Sequence, residues 1–213
     1  MGELDFACLG ACADPFAASP TLQFRLRLTE PGGGAVQAVV LRCQIRIEPQ
    51  RRRYTPEEAV LLGDLFGESS RWGNTLKPVQ FANVSIMVPG FTGATELDLP
   101  VPVTYDLEVA AGKYFAALDE GEIPLLLLFS GTVFTRTAAG FTVQQVPWDR
   151  EARHRLPVAV WRELMDRYFP GEGWLRLSRD TLRALHRFKS ARALATWEDA
   201  VEALLAQAGE AAR

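Results

Sequence analysis

The chain has 213 residues, 48% of them hydrophobic and 23% charged, with a formal net charge of −3 at pH 7. That length fits one domain, or one domain with an appendage, and the apolar content is enough to build a core, which excludes a disordered, collagen-like or coiled-coil chain. The acidic balance argues against the whole molecule being an electrostatic nucleic-acid binder.

Met1-Gly2-Glu3-Leu4-Asp5-Phe6 carries two acids and no base, unlike a secretory leader. The longest apolar run, Leu125 to Phe129, is a strand's length, well short of the ~20 residues that span a bilayer. Three cysteines, Cys8, Cys12 and Cys43, cannot all pair, which fits a reducing compartment. The expectation is a cytoplasmic protein without membrane contact.

Leu22, Phe24, Leu26 and Leu28 alternate with Gln23, Arg25 and Arg27, the period of a half-buried strand. After Pro31-Gly32-Gly33-Gly34, a second alternating run follows: Val39, Leu41, Cys43, Ile45 and Ile47 against Arg42, Gln44 and Arg46. Two such runs across a glycine-rich turn predict an antiparallel hairpin with one wet face. Thr55-Pro56-Glu57-Glu58 has the form of a capping box and starts a helix with Val60, Leu61, Leu65 and Phe66 on one stripe, ended by Gly67. Residues 68–80 read as a loop. Val84, Ile86 and Val88 mark a strand stopped by Pro89-Gly90, and the odd positions from Leu97 to Val109 are all apolar. Pro100 and Pro102 within that run place its first half at a sheet edge or a bend.

Ala110 to Leu118 predicts a short helix. The near-continuous apolar stretch from Ile123 to Phe134 predicts a central strand covered on both faces. A turn at Thr137–Gly140 returns the chain into Phe141–Val146. From Pro157 the period becomes helical: Trp161, Leu164, Met165 and Tyr168 form a stripe closed by Pro170-Gly171. Ser178 caps a second helix, and Thr196 with Asp199 caps a third whose Trp197, Val201, Leu204, Leu205 and Ala208 point inward. The expected fold is α+β, an antiparallel sheet or sandwich over residues ~20–147 with two short inserted helices, followed by three C-terminal helices. In domain terms this is a mainly-β part over 1–150 and a helical extension over 151–213, packed on the sheet in one folding unit.

Motifs for common chemistries are missing: no G-x-S-x-G, no Walker loop and no dinucleotide glycine fingerprint. Ser130 in Phe129-Ser130-Gly131 lies inside an apolar strand and reads as a packed small residue. Asp149, Glu151 and His154 form a D-x-E-x-x-H cluster that reads either as a divalent-ion or carboxylate site or as a solvated linker. Cys8 and Cys12 have three residues between them, not the two of a zinc knuckle, and with Cys43 supply at most three ligands. No cofactor or metal is assigned. Trp161 and Trp197 fall on helical stripes and read as core, whereas Trp72, Trp148 and Trp174 sit in loops and are candidates for interaction.

Two basic features remain. Arg25, Arg27, Arg42 and Arg46 would share the wet face of the hairpin, either facing an anionic partner or pairing with Thr104, Asp106 and Glu108 of the 97–109 run. Arg179, Arg183 and Arg187 recur every fourth residue and so stack on one helix face. Arg176, Lys189 and Arg192 extend this ridge against a single acid, Asp180. It is either a solvated face or the docking surface for a protein that is acidic at the contact.

The strings Leu62-Gly-Asp-Leu-Phe-Gly-Glu, Arg71-Trp-Gly-Asn-Thr-Leu-Lys-Pro, Val88-Pro-Gly-Phe-Thr-Gly, Thr104-Tyr-Asp-Leu-Glu-Val and Pro124-Leu-Leu-Leu-Leu-Phe-Ser-Gly-Thr-Val-Phe resemble a bacterial family of unknown function. That family is common in actinobacteria, and its genes often neighbour those of high-affinity uptake [NiFe] hydrogenases. The resemblance implies a genomic setting and, by inference, an accessory role in assembling or supporting an oxidoreductase. A fainter likeness in element order is to sheet-based export chaperones that bind unfolded chains. The functional expectation is a non-catalytic accessory or binding protein. The alternatives are a polypeptide-binding chaperone and an enzyme built on Asp149, Glu151 and His154.

Overall fold

A computed structural model describes residues 3–103, 111–137, 140–171 and 177–209. The chain divides into two compact units, Met1–Gly171 and Glu172–Arg213. In the first unit, β1 (Asp5–Ala13), β2 (Thr21–Thr29) and β5 (Ala94–Pro102) pair antiparallel in the order β1-β2-β5. A second antiparallel sheet runs β4 (Val79–Thr92), β3 (Ala35–Ile47), β6 (Glu122–Thr137) and β7 (Gly140–Gln145), with β8 (Glu151–Pro157) pairing with the first half of β6. The α+β class with C-terminal helices is as expected.

Alternation builds the core. Leu22, Phe24, Leu26 and Leu28 of β2 and Val39, Leu41, Cys43, Ile45 and Ile47 of β3 are all buried in one cluster. They approach it from opposite sheets, since β2 pairs with β1 and β5 whereas β3 pairs with β4 and β6. The expected hairpin between these two runs therefore does not form. Residues 30–34 carry the chain from one sheet to the other. The buried Glu30 carboxylate accepts the Gly34 N–H at 2.5 Å, and the Glu30 N–H donates to Gly93 O at 2.6 Å. Period-2 patterning reports that a strand has one dry face but not which strand lies beside it.

Three further boundaries differ. β4 runs through Pro89-Gly90, because Pro89 lies opposite Ala38 in the ladder with β3 and Gly90 crosses its backbone closely; a Cβ there would stand 2.9 Å from Gln37 O. β5 does lie at a sheet edge, as its prolines require, while 104–110, the rest of that run, lie outside the described residues. β6 is central in its sheet, yet it is not covered on both faces: Leu126 and Leu128 are half-buried and Ser130 is exposed, opposite Arg42. At Gly131 (φ +150°) the backbone lies so close to Val40 O that no side chain fits. Residues 151–157, expected as linker, are the strand β8, so β-structure continues past 150.

Short helices and aromatic rings pack around one end of the core: α1 (Pro56–Leu61), α2 (Gly63–Phe66), α3 (Trp72–Thr75) and α4 (Lys113–Ala116). Phe66, Trp72, Tyr54 and Tyr114 meet edge to face, and Tyr114 and Tyr54 share a 2.8 Å hydroxyl hydrogen bond. The Thr55/Glu58 capping box forms as the sequence predicts. It turns Glu58, Leu62 and Phe66 inward and leaves Val60 and Leu61 exposed, the reverse of their expected placement. Residues 68–80 are not wholly loop, since they hold α3 and the start of β4. The helix α5 (Val158–Tyr168) buries Val158, Trp161 and Leu164, and Trp161 lies 4.4 Å from the Phe115 ring. In the second unit, α6 (Arg179–Ala191) is capped by Ser178 and α7 (Trp197–Ala208) by a Thr196/Asp199 capping box, as expected. Its apolar stripe is not inward: Trp197, Val201 and Leu204 are exposed, and Ala200 is buried instead.

One ion pair ties this end together. The Arg52 and Glu58 side chains are 9% and 3% exposed and meet at 2.5 Å; Glu58 also accepts the Thr55 and Asp119 N–H groups, and Arg52 donates to Glu120 O. Removing one member of a buried pair costs ~3–5 kcal/mol, against under ~1 kcal/mol for an exposed one. Glu58→Ala is expected to lower urea-unfolding stability in the first range, and Arg27→Ala, which breaks a half-exposed pair with Glu96, in the second. Equal losses would contradict this assignment.

Candidate functional site

The four arginines expected on one face are split by the fold. Arg25 and Arg27 lie on the outer face of β2, where Arg25 Nε donates to Asp98 at 2.6 Å and Arg27 Nη2 to Glu96 at 2.5 Å on β5. Acids of the 94–102 strand are thus partners of these two arginines; Thr104, Asp106 and Glu108, to which the sequence assigned the pairing, lie outside the described residues. Arg42 and Arg46 belong to the other sheet, with Arg46 donating to Gln44 at 3.0 Å and Arg42 flanked across the ladder by Ser85 and Ser130. No single basic ribbon is built.

The Asp149, Glu151 and His154 cluster is also taken apart. Along β8, His154 lies on the inner side, with its ring edge-on to Phe24 at 6.1 Å, while Glu151 is on the outer side, paired with Arg153 at 2.9 Å. They stand three positions apart on the strand, an odd offset, so the pleat sends them to opposite faces. Burial holds the His154 imidazole below its ordinary pKa, so it is neutral at pH 7. Among the described residues, no group of three His, Cys, Asp or Glu side chains is placed to hold a metal ion. A cavity of about 400 Å³ is lined by Glu3, Leu4, Val133, Gln144, Gln145, Val146 and Pro147, but its one carboxylate is engaged by Arg150.

The cysteines do not converge either. A register shift between Cys8 and Gly10 reverses the facing of β1, so Cys8 lies opposite buried Leu26 and Cys12 opposite outward Gln23. Burial pushes the Cys8 thiol up to about 11 and the Cys43 thiol to about 12, so both are protonated at neutral pH, whereas Cys12 is exposed. The thiolate is the reactive form. A thiol-specific disulfide reagent at pH 8 should therefore label one thiol of the native protein quickly and the other two only on unfolding. Rapid labelling of all three, or loss of the fast phase by any change other than Cys12→Ser, would refute this placement.

Of the loop tryptophans, Trp72 is structural, its Nε1–H donating to Gly67 O at 2.9 Å, and Trp174 lies outside the described residues. Trp148, in the turn between β7 and β8, is 92% exposed. Trp197 is not core: it is half exposed, with Lys189 Nζ 5.7 Å over its ring and His186 edge-on. The arginine ridge forms as spaced. Arg179, Arg183 and Arg187 are all exposed, on the side of α6 opposite half-buried Leu185 and Phe188. Among the described residues Arg183 reaches only Asp180 of its own helix, at 3.9 Å, and Arg192 stacks 3.9 Å over Phe188. Arg176 lies outside the described residues. Among the described residues, no ion pair joins α6 to the acids of α7, and no helix is long and apolar enough to cross a membrane.

No curated protein matches the sequence. Among solved structures, the chain is similar to the solution structure of a protein described as late embryogenesis abundant (LEA), at 14% identity over 72% of this chain and 71% of that one, with a TM-score of 0.33. That likeness carries no argument about function. The family is shown by a match over residues 1–213: the chain belongs to the family of unknown function DUF6084.

Proposed function

We propose that this protein is a non-catalytic accessory protein of the cytoplasm, which docks on an acidic surface of another protein through Arg179, Arg183, Arg187 and the neighbouring Arg176 and Arg192. The observation that carries this reading is the exposed ridge on α6, whose arginines form no salt bridge with α7 among the described residues. Arginine suits the task because its planar fork binds carboxylates in two places and is weakly hydrated. The separation of Glu151 from His154 across the β8 pleat favours binding over acid–base chemistry on that cluster. A hydrogenase-type oxidoreductase under assembly is the partner we favour, on the family resemblance alone.

Reversing Arg179, Arg183 and Arg187 to Glu is expected to abolish capture of the acidic partner by the tagged protein from its native host. The difference between wild type and the reversal should shrink as salt rises, since exposed charges are screened. The thermal melt should barely move, because exposed substitutions change stability by about half a kcal/mol or less each. Unchanged capture with an unchanged melt would reduce the ridge to a solvated face. A large drop in melting temperature would make the arginines internal supports.

A second reading, polypeptide binding by the sheet, is favoured by one observation. Among the described residues 141–145 of β7 pair with β6 alone; they form an uncharged, exposed edge segment. Such an edge accepts an added strand through its main chain. On this reading the wild type suppresses light scattering by an aggregating unfolded client, and Phe141→Lys with Val143→Lys removes the effect while leaving ridge-dependent capture intact. Absence of suppression by the wild type would dispose of it.

A further inference from the structure

The second unit buries little of its own apolar surface. Its described residues, 177–209, bury only Ala200 fully, whereas Leu182 (46%), Trp197 (44%), Val201 (38%) and Leu204 (39%) stay open. Trp197, Val201, Leu204 and Ala208 recur at i, i+4, i+7 and i+11, the stripe by which a helix buries itself against another. Leu182 and His186 on α6 extend the stripe sideways, since His186 meets the Trp197 ring at 5.8 Å. Segments this short do not ordinarily hold a core alone.

The charges say what fits this stripe. Helix α6 carries Arg179, Arg183, Arg187 and Lys189 against Asp180, while α7 carries Glu198, Asp199 and Glu202 and no cation. The two helices are equal and opposite in net charge; among the described residues no salt bridge joins them, and Lys189 acts on Asp199 only at longer range. A surface that is basic on one side, apolar in the middle and acidic on the other complements a copy of itself.

We propose that two copies of the chain associate through their α6–α7 pairs, with the stripe of one copy on the stripe of the other. Identical surfaces meet about a two-fold axis. An axis running along the helices sets α6 of each copy against α7 of its partner, cation against anion. An axis across the helices would instead set α6 on α6, with arginines facing arginines, so the charges select the first. The product is a four-helix bundle with Trp197, Val201 and Leu204 of both copies at its centre, where large apolar side chains contribute most to association. This does not rest on the acidic-partner reading: a monomer that still captures such a partner would overturn the dimer alone.

Analytical ultracentrifugation of the full chain, from micromolar to sub-millimolar concentration, should give the mass of a dimer. Leu204→Asp should weaken self-association by roughly tenfold or more, because it buries a carboxylate in the apolar centre. Far-UV circular dichroism checks that the helices remain. A second arm does not depend on that variant folding. Glu198→Arg with Glu202→Arg, and separately Arg183→Glu with Arg187→Glu, should each be monomeric alone, and an equimolar mixture should recover the dimer mass. A wild type that is monomeric throughout, a dimer untouched by Leu204→Asp in a helical protein, or a mixture that stays monomeric would each overturn the proposal.

Discussion

The fold depends on one dry layer, in which β2 and β3 face each other from different sheets. Four side chains of β2 and six of β3 are buried in that layer, and at roughly 25 cal/mol per Å² of apolar area removed from water it supplies the main driving force for the first unit. With these two strands committed inward at alternate positions, their remaining side chains face outward on opposite sides of the sandwich. Arg25 and Arg27 then meet Glu96 and Asp98, and Arg42 and Arg46 meet Ser and Gln, for no reason other than which sheet each strand joined.

A two-layer sandwich is open at its ends, and most of the non-strand chain of the first unit addresses that. The short helices of 56–75 and 113–116 bring Tyr54, Phe66, Trp72, Tyr114 and Phe115 into mutual contact beside Phe81 and Trp161. Burying this much backbone in loops requires partners for its N–H and C=O groups. Glu58 is the hub that supplies several of them, linking the cap of α1, Arg52 and the 119–120 turn. The carboxylate that looked from its capping-box position like a local helix signal is also a long-range tie.

The two units differ in how they treat apolar surface. In the first, most apolar side chains are inside, and the exposed exceptions include the β7 edge, the cross-strand pair Val40–Met87 and the neighbours Val60 and Leu61. In the second, caps and spacing make sound helices, yet the apolar stripe of α7 is left open beside a ridge of arginines. Helices with good caps and an uncovered stripe are the usual state of an element whose partner lies elsewhere, because amphipathic helices draw most of their stability from packing. Both the docking reading and the self-association proposal grow from that imbalance.

Local rules were legible in the sequence where they are self-contained. The Thr55/Glu58 and Thr196/Asp199 capping boxes, the Ser178 cap, the edge position implied by Pro100 and Pro102, and the alternation of β2 and β3 all depend on residues within a few positions of each other, so reading them needs no knowledge of the fold. The four-residue spacing of the arginine ridge is of the same kind. Partnership was not legible. Period 2 does not name the neighbouring strand, so a sandwich crossover passed for a hairpin. The strands β1 and β8 carry too little apolar contrast to announce themselves, and a single bulge at Cys8–Gly10 reversed the facing of half of β1. The D-x-E-x-x-H cluster looked like a ligand set only while its residues could be imagined on a loop or helix; on a strand, the pleat sends His154 to the core and Glu151 to solvent. The sequence by itself determined which side chains are apolar, where helices begin and how charges are spaced. Which faces meet was decided by tertiary structure, because burial is a property of pairs of surfaces and only the folded chain pairs them.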